Sequence, residues 1–215
     1  MELAVRLNNA KYVAFRWRYE LTISKKVALA LAMAALTGLL AQVRFPLPWS
    51  PVPITGQTFA VFLAPVLLGR WWGGVSMAIF AGLGWAGLPW FSGWQAGFTA
   101  TGGYIIGFVL AALFVGYFVD KYVRSRSFLT MLGLMLLANF FLIYIPGLIW
   151  LGLWLQAAGT SVASLAALLS MGLIPFIPGD ITKAIAAAAI ARGVTPKTAY
   201  NGEVDKDKWA QWRIP

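Results

Sequence analysis

Charged side chains are missing from five stretches of this chain, residues 27–43, 45–69, 71–119, 127–179 and 184–191. A helix needs about 20 mostly apolar residues to cross the hydrocarbon core of a bilayer, so the two longest stretches can each hold two crossings. The composition agrees: 60% of the residues are apolar and 11% charged, against about 25% charged in an average soluble domain. A soluble enzyme would need a charged outer surface that most of this chain lacks.

Turn signals divide the long stretches. Pro89, Gly93 and Gly97, set among tryptophans suited to the headgroup boundary, break the 71–119 interval. Ala157-Ala158-Gly159-Thr160-Ser161 breaks the next one. Helices are expected at about 25–43, 54–69, 73–88, 100–119, 127–154 and 170–191, the last with a proline-containing, irregular lead-in. With the N-terminus inside, fifteen of the seventeen basic residues fall on the cytoplasmic side, only Arg44 faces out, and Lys183 lies within the last helix. The expected fold is all-α, a polytopic membrane protein with six transmembrane helices in a compact bundle and both termini cytoplasmic. Residues 1–24 form a basic segment, 25–192 the membrane domain and 193–215 a cytoplasmic tail. The N-terminal segment has a basic flank without an apolar core, so it reads as a tail, partly an amphipathic interfacial helix. The net charge of +10 thus serves topology and anionic headgroups, not nucleic acid.

The chemistry available is narrow. The chain has no cysteine and no histidine, which removes thiol chemistry and the commonest acid/base group and metal ligand. No phosphate-cradling Gly-x-x-x-x-Gly-Lys-Ser/Thr run is present, so any ATP dependence needs a partner. Six of the seven carboxylates lie in cytoplasmic segments or at membrane boundaries. The seventh, Asp180, and Lys183 are the ionisable side chains in the membrane interior, where such groups are costly and mark sites. Asp180 lies twelve residues before Arg192, about 18 Å along a helix, beyond the midplane toward the outside. The Ile174–Gly179 segment before it contains two prolines and is tolerated at that depth only if buried in protein or lining a wet cavity. Two roles are open: Asp180 caps its helix and pairs with Lys183, or the pair faces a ligand with amide-like donors and an anion or carbonyl.

Other polar candidates are Gln57, at the start of a short helix after Pro51-Val52-Pro53, and Thr101 and Tyr104 in Thr99–Gly107. Gln95 lies in the outer turn with Trp90, Phe91 and Trp94, where it could lid a cavity. Each also has a plainer reading as a helix-end hydrogen bonder, a packing residue or an interfacial anchor. Ala30, Ala34 and Gly38 lay small residues along one face of the first helix, a surface on which another helix, internal or on a partner, can dock.

Five fragments closely resemble the BioY family, the biotin-binding S components of energy-coupling factor (ECF) vitamin transporters. They are Val52–Thr58, Leu68–Gly73, Gly84-x-x-Gly-Leu-Pro89, Thr101–Phe108 and Pro175–Lys183, in order over about 25–192. The resemblance implies six helices, an outward-facing biotin pocket and residence in the plasma membrane. It also implies, in many members, assembly with a transmembrane coupling subunit and two ATP-binding cassette (ABC) ATPases. Biotin is then a transported substrate, no cofactor is bound, and ATP enters only through the partner ATPases. By position, the resemblance assigns Asp180 to the ureido N–H groups and leaves Lys183 between the ureido oxygen and the carboxylate. Gln57 and Tyr104 become pocket walls, and Ala30, Ala34 and Gly38 the docking motif for the coupling subunit. Thr99-Ala100-Thr101 and Ala64-Pro65 depart from the family pattern in places that bear on pocket shape. A solitary biotin facilitator, or an S component for another small vitamin, is the alternative function.

Overall fold

The computed structural model describes residues 2–160, 164–197, 199, 203 and 204. Two helices come first, α1 (Glu2–Glu20) and α2 (Ile23–Gln42), followed by a hairpin of β1 (Arg44–Leu47) and β2 (Ser50–Thr55). Then come α3 (Gln57–Leu68), α4 (Arg70–Trp85), α5 (Gly102–Lys121), α6 (Phe128–Leu137), α7 (Tyr144–Ala157), α8 (Leu165–Gly172) and α9 (Ile177–Val194). A π-helical turn, Ala138–Ile143, joins α6 to α7, and a 3-10 turn, Ile174–Phe176, leads into α9.

Four helical stretches among the described residues are long and apolar enough to span a membrane: Ile23–Gln42, Gly102–Lys121, Phe128–Ala157 and Leu165–Val194. The 12-residue α3 and the 16-residue α4 are shorter, about 18 and 24 Å long. Helix α5 runs through the middle. Its Ala111, Ala112, Val115 and Val119 are completely buried, with α3 and α4 packed on one side and α7 with the π turn on the other.

The fold is mostly helical as expected, and the hairpin corrects the start of the second expected helix. Residues 54–56 pair or turn, so α3 starts only at Gln57. Arg44 faces Thr55 and Phe45 faces Ile54, and the register slips at Pro46 before Leu47 meets Ser50. In a two-stranded sheet each strand is an edge, so Pro46, Pro51 and Pro53 can sit where no ladder N–H is required. The hairpin is tied down by Ser50 Oγ donating to the Met171 carbonyl at 2.7 Å and by Gly56 N donating to the Leu40 carbonyl at 3.1 Å.

The proline in the long α6–α7 helix accounts for its π turn. Pro146 has no N–H to offer the Leu142 carbonyl, and its ring would press on that oxygen, so the preceding turn widens. Tyr144 N reaches back five residues to the Asn139 carbonyl. Gly107 of α5 takes up the displaced backbone: a Cβ there would stand 2.6 Å from the Leu142 oxygen.

At the opposite end of the bundle from the hairpin, α1 is more than a tail. Phe15 and Leu21 are buried, and Arg18 donates to the Val66 carbonyl at 3.0 Å and pairs with Asp120. Burying a phenylalanine side chain stabilises by about 2 kcal/mol, so α1 is docked, not loose. Asp120 also accepts from Arg70 N at 2.7 Å. Arg126 pairs with Glu203 at 2.9 Å, both fully enclosed, and Val204 N donates to the Lys121 carbonyl. Burial pulls the Arg126 guanidinium below its usual range, and Glu203 opposes the shift. Most of the tail expected over 193–215 lies outside the described residues.

Of the two roles open to the small-residue face of α2, the structure shows the internal one. Ala30 and Ala34 are fully buried, and α3 and α4 pack on this helix. Gly38 lies under Trp90, whose Cβ would be 3.2 Å from a side chain at 38. The chain's own helices need that face. The outward face carries Ala28, Leu31, Ala32, Ala35, Leu36 and Leu39 instead.

Candidate functional site

A cavity enclosing about 510 Å³ of atom-free space, its mouth included, opens between the hairpin, the 91–101 loop, α3, α5, the π turn and α9. Ile105, Phe108, Ile143 and Phe176 give it apolar walls, and Asp180 and Lys183 supply the charge.

Asp180 sits in the first turn of α9, which runs regularly from Ile177 with Pro178 in its first turn, two to three residues earlier than the sequence suggests. Its carboxylate turns sideways rather than capping the helix. Oδ1 accepts from Lys183 Nζ at 2.6 Å and from Thr58 Oγ1 at 3.3 Å. Oδ2 accepts from Asn139 Nδ2 at 3.0 Å and from the Tyr144 hydroxyl. The residue is 3% exposed, and a carboxylate so enclosed is tolerated only when its lone pairs are met this way. Lys183 also donates to the Thr55 carbonyl at 2.8 Å, so α9 and the hairpin are joined through one ammonium.

The other expected residues divide. Gln57 lines the cavity, its Oε1 accepting from Thr55 Oγ1 at 2.9 Å. Its Nε2 has no acceptor among the described residues. Tyr104 lines it too, seated against Gly147 and Gly172, with its hydroxyl donating to the Gly172 carbonyl at 2.8 Å. Thr101 is in the wall, its hydroxyl 2.9 Å from that of Thr99. Gln95 is not among the lining residues. Its carbonyl accepts from Phe91 N and closes the outer turn. Of the two departures from the family pattern, Thr101 touches the cavity. Pro65 does not, being buried in α3 against Gly73 and Gly116.

Sequence reasoning misses Asn139 and Tyr144. A signal was available for the first, since Asn139 is the only carboxamide between residues 127 and 155. Each is placed by the π turn, which carries both to Asp180. One acceptor stays unmet: Asn139 Oδ1 is buried without a partner among the described residues, as is Ser92 Oγ in the cavity wall. Ser92 Oγ, unpaired in the cavity wall, is the kind of atom that a ligand with a matching group would satisfy.

Fold and site together define a multi-pass membrane protein that holds a small-molecule pocket at one end of its helical bundle. The comparisons make this specific. The model of the BioY family matches residues 9–200, and the chain belongs to that family. It is 51% identical over 157 residues to the probable biotin transporter BioY of Methanothermobacter thermautotrophicus, covering 71% of this chain and 100% of that one. It is 34% identical to the biotin transporter BioY of Thermotoga maritima, covering 67% of this chain and 82% of the relative. Its fold is similar to the crystal structure of the S-component for biotin from an ECF-type ABC transporter. There the TM-score is 0.68 and the identity 29%, over 80% of this chain and 93% of the other.

Proposed function

We propose that the chain is the biotin-binding S component of an ECF-type transporter, capturing biotin from outside and delivering it inward with a coupling module. The observation that carries this is the enclosed Asp180 carboxylate with Lys183 beside it, at the edge of an otherwise largely apolar cavity. Asp180 accepts the ureido N–H groups, exchanging its long Thr58 contact for those of the ligand while the Tyr144 hydroxyl stays on the carboxylate and orients it. Gln57 and Tyr104 flank the ring, and Ile105, Phe108 and Phe176 cover its apolar part.

In this reading six segments cross the plasma membrane: α2, β2 with α3, α4, α5, α6–α7 and α8–α9. Both termini face the cytoplasm, with the basic residues Arg18, Arg70 and Arg126 on the inner side. The partners are a transmembrane coupling subunit and two ABC-type ATPases. The chain binds no cofactor and no nucleic acid, and ATP acts only through those partners. The test is equilibrium binding of labelled biotin to the detergent-purified chain, with cold biotin and thiamine as competitors. Saturable binding displaced by biotin alone is expected; a folded chain that binds no biotin refutes the reading.

A further inference from the structure

The pocket's own cation is already engaged. Lys183 Nζ lies 2.6 Å from Asp180 and 2.8 Å from the Thr55 carbonyl, so the pair brings no net charge to a ligand. A small acid that arrives as a carboxylate needs a second cation, or the loss of its hydration goes uncompensated. Arg18, Arg70 and Arg126 are at the far end of the bundle, bound up with α1, Asp120 and Glu203. Arg44 is at the near end, and its guanidinium has no hydrogen bond or ion pair among the described residues.

Two contacts locate Arg44. Its backbone pairs with Thr55 across the hairpin, which puts the two side chains on one face, and Thr55 lines the cavity. Its guanidinium lies against the outer turn: a Cβ on Gly93 would be 2.5 Å from Nη1. The neighbour of Gly93 is Ser92, which lines the cavity at 8% exposure, with a buried hydroxyl that has no partner among the described residues. The turn is held in place by Gln42, whose Oε1 accepts from Gly93 N and Trp94 N at 3.2 Å and whose Nε2 donates to the Phe91 carbonyl at 3.0 Å. Arg44 is exposed and is not itself among the lining residues, but its guanidinium packs on the turn whose Ser92 hydroxyl stands unmet in the cavity wall, so a cation lies one residue away from that donor. That turn belongs to the α2–α4 side of the bundle, whereas Asp180 belongs to α9.

We propose that Arg44 and Ser92 form the anion-binding end of the pocket and receive the ligand's carboxylate, while the Asp180 wall receives its neutral N–H donors. This rests on the biotin reading and adds an orientation to it: ureido ring against α9, acid tail toward the hairpin and outer turn. The test compares biotin with biotinamide, which replaces the carboxylate by a neutral carboxamide, on the full-length purified chain. The wild type is expected to favour biotin by about tenfold or more, the scale of a charge-assisted hydrogen bond. Arg44→Gln and Ser92→Ala are each expected to collapse that ratio toward one, whereas Lys25→Gln, a charge removed at the other end of the bundle, keeps it. An unchanged ratio in monodisperse Arg44→Gln overturns the inference, as does a loss that falls equally on both ligands. A wild type that binds neither ligand overturns the proposed function itself.

Discussion

The two ends of this bundle both bury charge, and they do so for opposite ends. At the α1 end, Arg18 and Arg126 pair with Asp120 and Glu203 and sit against Phe15, whose ring lies 3.6 Å from the Arg18 guanidinium carbon and 4.3 Å from that of Arg126. These ions join α1, α3, α5 and the Glu203 segment into a sealed layer. At the hairpin end, Asp180 and Lys183 border a cavity, with Ser92 Oγ unmet in its wall. The same interaction holds the structure together where it is closed over. Where it edges a space, it puts charge in a pocket wall.

Substitutions can break this contrast. The largest effect is expected from Asp180→Asn, which leaves Lys183 without its counter-charge and takes away an acceptor for ligand N–H groups. Biotin affinity should fall about a hundredfold or more, with the protein still monodisperse by size exclusion; retained affinity would remove Asp180 from the site. Glu203→Ala does the reverse. It strands Arg126 in an enclosed layer at a cost of about 3 kcal/mol, seen as a lower apparent melting temperature with the biotin dissociation constant unchanged. A shift in affinity instead would mean that the inner layer is coupled to the pocket. Tyr144→Phe deletes one donor to Asp180 and should weaken biotin about tenfold in the same binding assay. Gln95→Ala sharpens the boundary of the site: its side chain is outside the cavity lining, and affinity should stay within about twofold.

Asp180 and Lys183 were legible in the sequence because a charge inside an apolar run is expensive and therefore conspicuous. Gln57, Thr101 and Tyr104 were legible as polar groups at helix beginnings near the same end. Asn139 and Tyr144 were not, because a π turn shifts the phase of the helix and no period of 3.6 brings both residues to one face. The alanine face of α2 was legible only as a close helix contact. A run of small residues says that a helix comes close, not whose helix it is. The helical segments themselves followed from the charge-free intervals, with boundaries off by about three residues where Pro-rich strand, not helix, precedes Gln57. The docking of α1 left little trace, since its contacts depend on Asp120 and Arg126, more than a hundred residues away.

Pro146 is apolar and is not among the cavity's lining residues, yet it sets which side chains reach Asp180 in the pocket wall. With an N–H at 146, the Leu142 carbonyl would be claimed by an ordinary helical bond, the wide turn would tighten, and Asn139 and Tyr144 would turn out of phase with Asp180. The polar wall around Asp180 is thus written in a hydrogen bond that the chain is unable to form, a gap in the backbone ladder.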